Sequence, residues 1–408
     1  MAVYTVIQSA QQKRKLLSLL WEVIASMKNV TFSIIILVAV MSSITCVEEK
    51  SSSPVVSGKL IAPLKVSQVK TPLVASPDSR RVAYVVIKDP EPDTRAICVA
   101  VDGKEEKVYN EILGVGNIYE GGNLVFSPDS QHLAYGVKVY GQWAAVVVDG
   151  KEGAHYDAVF ADTIRFSPDS QHLAYVVEQD KQLKVVVDGK EEKSYDGIYE
   201  GMPIFSPDSR HIAYEATEGN LSRVIVDGKE GEHYHGIAAN TLIFSPDSQH
   251  VSYVAIRKDG KQFVVVDGKQ GKLYDMSSKG TPLFSPDSQH VAYGASERNR
   301  WFVVKDDNEG TDYDDIEGST ITFSPDSQHL AYKARVGSAW AMIMDGKEGK
   351  PYDEILDTPP VFSSDSQHVA YGARMGDTWR VVMDRKEGKS YNHIGKQDIV
   401  FSPDSQHL

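Results

Sequence analysis

The stretch Phe126–Tyr135 reads FSPDSQHLAY, and the same ten residues return at Phe166–Tyr175. The Asp of this phrase falls at Asp78, Asp129, Asp169, Asp208, Asp247, Asp287, Asp326, Asp365 and Asp404, so successive copies lie 51, 40, 39, 39, 40, 39, 39 and 39 residues apart. A second phrase, VVVDGKEGKxYDxI in averaged form, sits between consecutive copies and places its Tyr at 109, 156, 195, 234, 274, 313, 352 and 391. A fixed period of this kind decides architecture before the chemistry of any single residue is weighed. Of 20 tyrosines, 16 lie in the two phrases, so tyrosine usage is set by the repeat and marks no site.

Within one unit, residues 161–200, four short strands are expected: DTIRF, HLAYVV, LKVVVD and KSYDGI. Each is rich in β-branched or aromatic residues and bounded by turn formers. The Ser-Pro-Asp-Ser turn puts Pro at the second position, where its fixed φ suits a type I turn, and joins strands a and b. In DGKEGK the Gly after Asp permits a positive φ, so this segment closes the hairpin between strands c and d. Four antiparallel strands per 40 or so residues, without helix signals, is the pattern of a β-propeller blade.

The phrase resembles the WD40-like (PD40) repeat of the carboxyl-terminal propeller of TolB-type proteins, over roughly residues 57–408. Two departures stand out: Ser130, Ser170 and their equivalents replace the usual Gly of the turn, and Ser364 takes the Pro slot of the eighth copy. The expected fold class is all-β, a closed β-propeller of about eight four-stranded blades, with seven to nine compatible with the count. Complete units run from about residue 71 to 397. The ninth copy stops inside strand b at Leu408, which points to a chain cut short. Residues 58–70 look like a stray outer strand of the kind that closes a propeller.

Composition sets the address. The chain has 408 residues, 41% of them hydrophobic, which suffices for a large core. Two cysteines, Cys46 and Cys98, exclude a disulfide scaffold. A formal charge of -13 without a basic stripe speaks against nucleic acid. At the amino terminus, KRK at 13–15 and Lys28 precede an uncharged run from Asn29 to Val47, the order of an export signal or membrane anchor. Read from Met27, the segment resembles a bacterial lipoprotein signal with Cys46 as the lipidated residue; a plain hydrophobic anchor is the alternative. The expected organisation is therefore 1–46 signal peptide or anchor, 47–57 polar tether and 58–408 propeller. The propeller is then exported, periplasmic or at the cell surface, and touches membrane through the amino-terminal segment only.

Catalytic chemistry is sought with little return. The Asp and His of SPDSQH form a familiar acid–base or ligand pair, but a group needed in every blade serves the blade, with the Asp bonding its own turn and the His beside it. The acidic run 305–315 aligns with 344–354 and is a diverged c–d hairpin without EF-hand spacing. Nucleophile-elbow, P-loop, zinc-protease and paired-cysteine motifs are missing, so no metal and no cofactor is expected.

One end of the blades is the better binding candidate. The a–b and c–d turns share one end and are near identical, whereas the b–c loops at the other end all differ: KVYGQW, EQDKQL, TEGNLS, IRKDGKQ, SERNRW, RVGSAW and RMGDTW. Recognition needs distinct residues in distinct places. Trp143, Trp301, Trp340 and Trp379, where those loops enter strand c, and Arg300 are the candidate anchors; packing between blades is the alternative for the tryptophans. The reading is an exported, membrane-tethered, non-enzymatic module, monomeric, for protein or cell-envelope partners. The resemblance to TolB-type propellers implies protein–protein interaction. The rival is the propeller of a prolyl-oligopeptidase-like serine peptidase whose catalytic domain lies beyond this chain.

Overall fold

A computed structural model of the chain describes residues 73–89, 96–114, 123–199, 203–395, 399–405 and 407–408. The anchor, the tether, Cys46 and the stray outer strand expected before residue 71 lie outside the described residues. Those from Leu73 onward belong to one compact unit.

That unit contains eight antiparallel sheets in chain order, each with the strand order a-b-c-d. The first comprises Val74–Ala75, Val82–Asp89, Ala96–Val101 and Lys104–Tyr109. The third comprises Ala158–Phe166, Leu173–Gln179, Gln182–Val187 and Lys190–Tyr195. In the second, fourth, fifth and eighth sheets strand a is split in two; Glu111–Ile112 and Val125–Phe126, for example, both pair with Leu133–Val139. Strands b and c are adjacent in every sheet, as the propeller blade requires. The acidic run 305–315 is the c–d hairpin of the sixth blade and the start of the seventh.

Each blade is too thin to bury its faces alone, and the apolar clusters accordingly draw on consecutive blades. One cluster joins Val99 and Tyr109 of the first blade to Tyr135 and Val147 of the second. The repeated tyrosines meet there: the strand d Tyr of one blade stands edge-on to the strand b Tyr of the next, as in Tyr195–Tyr214 at 6.3 Å and Tyr352–Tyr371 at 6.4 Å between ring centroids. Extended strand packing between blades runs in chain order. Among the described residues none of comparable extent joins the eighth blade to the first, the contact that the expected closed ring calls for. The place beside the eighth blade is taken by the ninth copy of the turn, where Phe401 stacks on His368 and Ser405 is buried.

The Ser that replaces the usual turn Gly keeps the glycine conformation. Its φ lies between 58° and 67° in all nine copies, the left-handed region. What Ser adds is a link between blades. The backbone N–H of Asp78 donates to Ser130 Oγ, that of Asp129 to Ser170 Oγ, and so on through Asp365 to Ser405, at 2.9–3.3 Å. Ser79 heads the series and is exposed, whereas its eight counterparts are buried.

Candidate functional site

The Asp–His motif has a structural explanation in each of the seven blades that carry the His–Asp pair. Asp129 Oδ1 accepts Ser127 Oγ at 2.5 Å and the Gln131 N–H at 2.9 Å, which closes the turn. The Ser127 hydroxyl, and then that amide, hold its carboxyl below the usual range. His132 belongs to a different carboxylate: its Nδ1 lies 2.7 Å from Asp149 Oδ2, while Asp149 Oδ1 accepts the Leu133 N–H. Asp149 opens the c–d turn with φ 48°, followed by Gly150 at 76°. The same His–Asp pair recurs in seven blades at 2.6–2.8 Å. In the first blade Arg81 replaces the His and reaches Asp102. These carboxylates and imidazoles are spent on backbone and on each other, one set per blade.

At the opposite end, the b–c loops are short hairpins. Asp180 and Lys181, like Arg298 and Asn299, take positive φ at both central positions, and Gly219, Gly337 and Gly376 take it at the first. A device not anticipated from sequence holds them. In five repeats an Asp follows the strand d Tyr and caps the b–c loop of the next blade: Asp157 accepts the Asp180 N–H, Asp196 that of Gly219, Asp275 that of Arg298, Asp314 that of Gly337 and Asp353 that of Gly376, at 2.7–2.9 Å. The Gly337 amide is the main reason that Asp314 titrates below the ordinary carboxylate range. The signal was present in the sequence as the Asp of YD, but its partner lies 23 residues away in another blade.

The candidate anchors occupy the ends of strand c, half-buried. Trp143 lies flat on His155, with centroids 3.8 Å apart and planes 3° from parallel. Trp340 carries the Lys333 ammonium 4.1 Å above its ring, and the Arg335 guanidinium is 6.0 Å away. Lys333 is buried, donates to the Ile355 carbonyl at 2.8 Å and pairs with Asp357. Trp379 has Arg374 at 6.0 Å, and that Arg binds Glu354 at 2.9 Å. Trp301 packs against the cluster shared by the sixth and seventh blades, as Trp143 does against that of the first two. Arg300 pairs with Asp314 and donates to the Asp312 carbonyl at 3.0 Å. Trp143, Trp301 and Trp340 therefore have one side in interblade packing, Trp379 and Arg300 find their partners within their own blades, and the five are distributed over four blades. Cys98 is buried in strand c of the first blade, and burial pushes its thiol up to about 11.

Among the described residues no group of three or more His, Cys, Asp or Glu is placed to hold a metal ion, and no helix is long and apolar enough to cross a membrane.

No protein-family model matches the chain, and no curated protein matches it. Solved structures to which it is similar include a eukaryotic initiation factor, at 12% identity and a TM-score of 0.41 over 80% of this chain and 89% of that one. TolB from Acinetobacter baumannii aligns at 15% identity and a TM-score of 0.28, over 64% of this chain and 82% of that one. The Dos1 propeller aligns at 12% identity and 0.34, over 77% and 91% respectively. At such values the likeness adds nothing about function. The strands themselves establish the architecture, eight four-stranded β-propeller blades built on a repeat of about 39 residues.

Proposed function

We propose that this chain is a non-enzymatic protein-binding module, exported and tethered to a membrane through its amino-terminal segment, that engages its partner through the b–c loops. One observation carries the reading of the surface: five loops of unlike sequence are fixed by the preceding blade's Asp, so varied side chains stand on a rigid frame. Half-buried Trp and Arg beside those loops suit an interface anchor, large in area and limited in conformational freedom. The basic-then-apolar order of the amino terminus supports export, and Cys46 is the lipidated residue in that reading.

The test is a pull-down from envelope extract with Trp340→Ala, Trp379→Ala and Arg300→Ala variants, read beside thermal melts of the same proteins. A truncated anchor at an interface commonly costs about 2 kcal/mol of binding or more. Loss of binding per folded molecule supports the assignment. Variants that melt early but bind normally when folded place the residues in the core and sink it; so does loss of binding on charge reversal at Lys190 and Lys229 in the opposite turns. For the address, membrane fractionation of wild type and Cys46→Ser is decisive, with an unlipidated, freely soluble wild type refuting the tether.

A further inference from the structure

The c–d turns are not uniform where they meet the next blade. In the first and third blades the residue two after the turn's Lys is a Glu, and its carboxylate accepts the strand b Tyr hydroxyl of the following blade: Tyr135 donates to Glu106, and Tyr214 donates to Glu192 at 2.5 Å. Glu106 also lies against the next turn, since a Cβ placed on Gly150 would come within 3.5 Å of its Oε1. In the second blade that residue is Gly153. No side chain enters the junction with the third blade at this point, and a groove of about 370 Å³ remains, lined by Val146, Val148, Gly153, Leu173, Tyr175 and Gly189. These are the counterparts of Val99, Val101, Glu106, Leu133, Tyr135 and Gly150 in the filled junction.

We propose that the groove between the second and third blades receives the side chain of a glutamate presented by a partner protein, with its carboxylate on the Tyr175 hydroxyl. The chain itself supplies the template, because Glu106 and Glu192 put a carboxylate on the equivalent hydroxyl in two sister junctions. The turn charges around those junctions are comparable, with Lys104, Glu105 and Asp149 in one matched by Lys151, Glu152 and Asp188 in the other. The valine and leucine walls suit the two methylenes of the glutamate stem, and Lys151 stands at the rim. Tyr175 is 5% exposed, so its hydroxyl meets the ligand largely stripped of water. The same junction holds the Tyr156 hydroxyl, beside that of Tyr175, whereas its counterpart Tyr109 is bound by Glu152. The corresponding groove between the fifth and sixth blades differs. There Asp307 replaces the turn glycine, its Oδ1 would be 3.3 Å from a Cβ on Gly271, and it repels a second carboxylate. This site lies at the end of the blades away from the b–c loops and does not depend on the role assigned to them.

The experiment titrates the full chain with two capped pentapeptides, Ala-Ala-Glu-Ala-Ala and its Gln counterpart, and follows the Gly153 and Gly189 backbone amides by NMR. The Glu peptide is expected to shift both amides saturably, with the Gln peptide at least about tenfold weaker because the charge-assisted bond is lost. Gly153→Glu should fill the groove from within, abolish the response and raise the melting temperature. Tyr175→Phe keeps the ring and the packing but removes the donor, and should also abolish the response. Equal binding of the two peptides, no saturable shift, or an undiminished response in Gly153→Glu would overturn the proposal.

Discussion

Replacing Ser248 tests the link that runs from blade to blade. Its φ is +67°, it is 3% exposed, and its Oγ accepts the Asp208 N–H at 2.9 Å. Ala at this position keeps the Cβ, and with it the left-handed strain, while leaving that amide without its acceptor. An orphaned donor costs about 1–3 kcal/mol when buried, and since Asp208 itself is exposed the lower half of that range applies. Gly loses the same acceptor but is relieved of about 1–2 kcal/mol of left-handed penalty, against about 0.5–1 kcal/mol of added unfolded-chain entropy. The expected order of stability is therefore Ser, then Gly, then Ala. Global melts of repeat arrays are poorly two-state, so the measurement is native-state hydrogen exchange at the Asp208 amide. In Ser248→Ala that amide should exchange about tenfold faster than in wild type, with Ser248→Gly in between. An unchanged rate in the Ala variant, or a Gly variant less protected than the Ala variant, would show that the hydroxyl does not hold the neighbouring blade.

Glu387 is bound by Lys350 and Arg380, both at 2.6 Å, and these partners, Lys350 first, pull its carboxyl down to about 2. Its folded pKa lies below the unfolded one, so the stability it contributes is present above the ordinary glutamate value of 4.5 and lost as pH falls toward about 2. Glu387→Gln should flatten the fall in melting temperature across that window, and an unchanged slope would refute the assignment. Cys98, with its thiol pushed up to about 11, should be about a thousandth ionised at pH 8. It should resist thiol reagents until denaturant is added, and labelling of native protein at the rate of a free thiol counts against the packed strand. Asp227→Ala removes the acceptor of both His211 and the Ile212 N–H and puts Ala at φ 50°, so urea should unfold that blade first; uniform protection by exchange contradicts this.

The period and the strand pattern fixed the blade because both depend on local residues: Pro in the a–b turn, Asp-Gly in the c–d turn and β-branched runs between them. Eight complete units were countable for the same reason. What escaped was the pairing of side chains far apart in the chain. The Asp129–His132 pair looked like one group, yet the imidazole belongs to Asp149 across the hairpin, at a spacing no helix or turn template predicts. Ser in place of Gly read as a departure from the usual turn, when its hydroxyl is in fact an acceptor for the preceding blade. The b–c loops were recognisable as the variable end, but their caps come from Asp residues in the neighbouring blade. Trp143 and Trp340 pack against clusters that consecutive blades share, a placement that depends on how blades meet and leaves no local trace.

The serine link is directional, and direction matters when blades are removed. Every amide in it is completed by a hydroxyl further along the chain, 52 residues on in the first link and 40 or 41 in the rest, never by one behind it. Deleting blades from the amino end uncovers a serine hydroxyl, which water satisfies at little cost. Deleting them from the carboxyl end strips an amide of its acceptor and bares the Phe-facing side of a His. Shortened versions of equal length should thus differ in durability according to which end was trimmed. During synthesis, each blade is finished only when its successor has emerged.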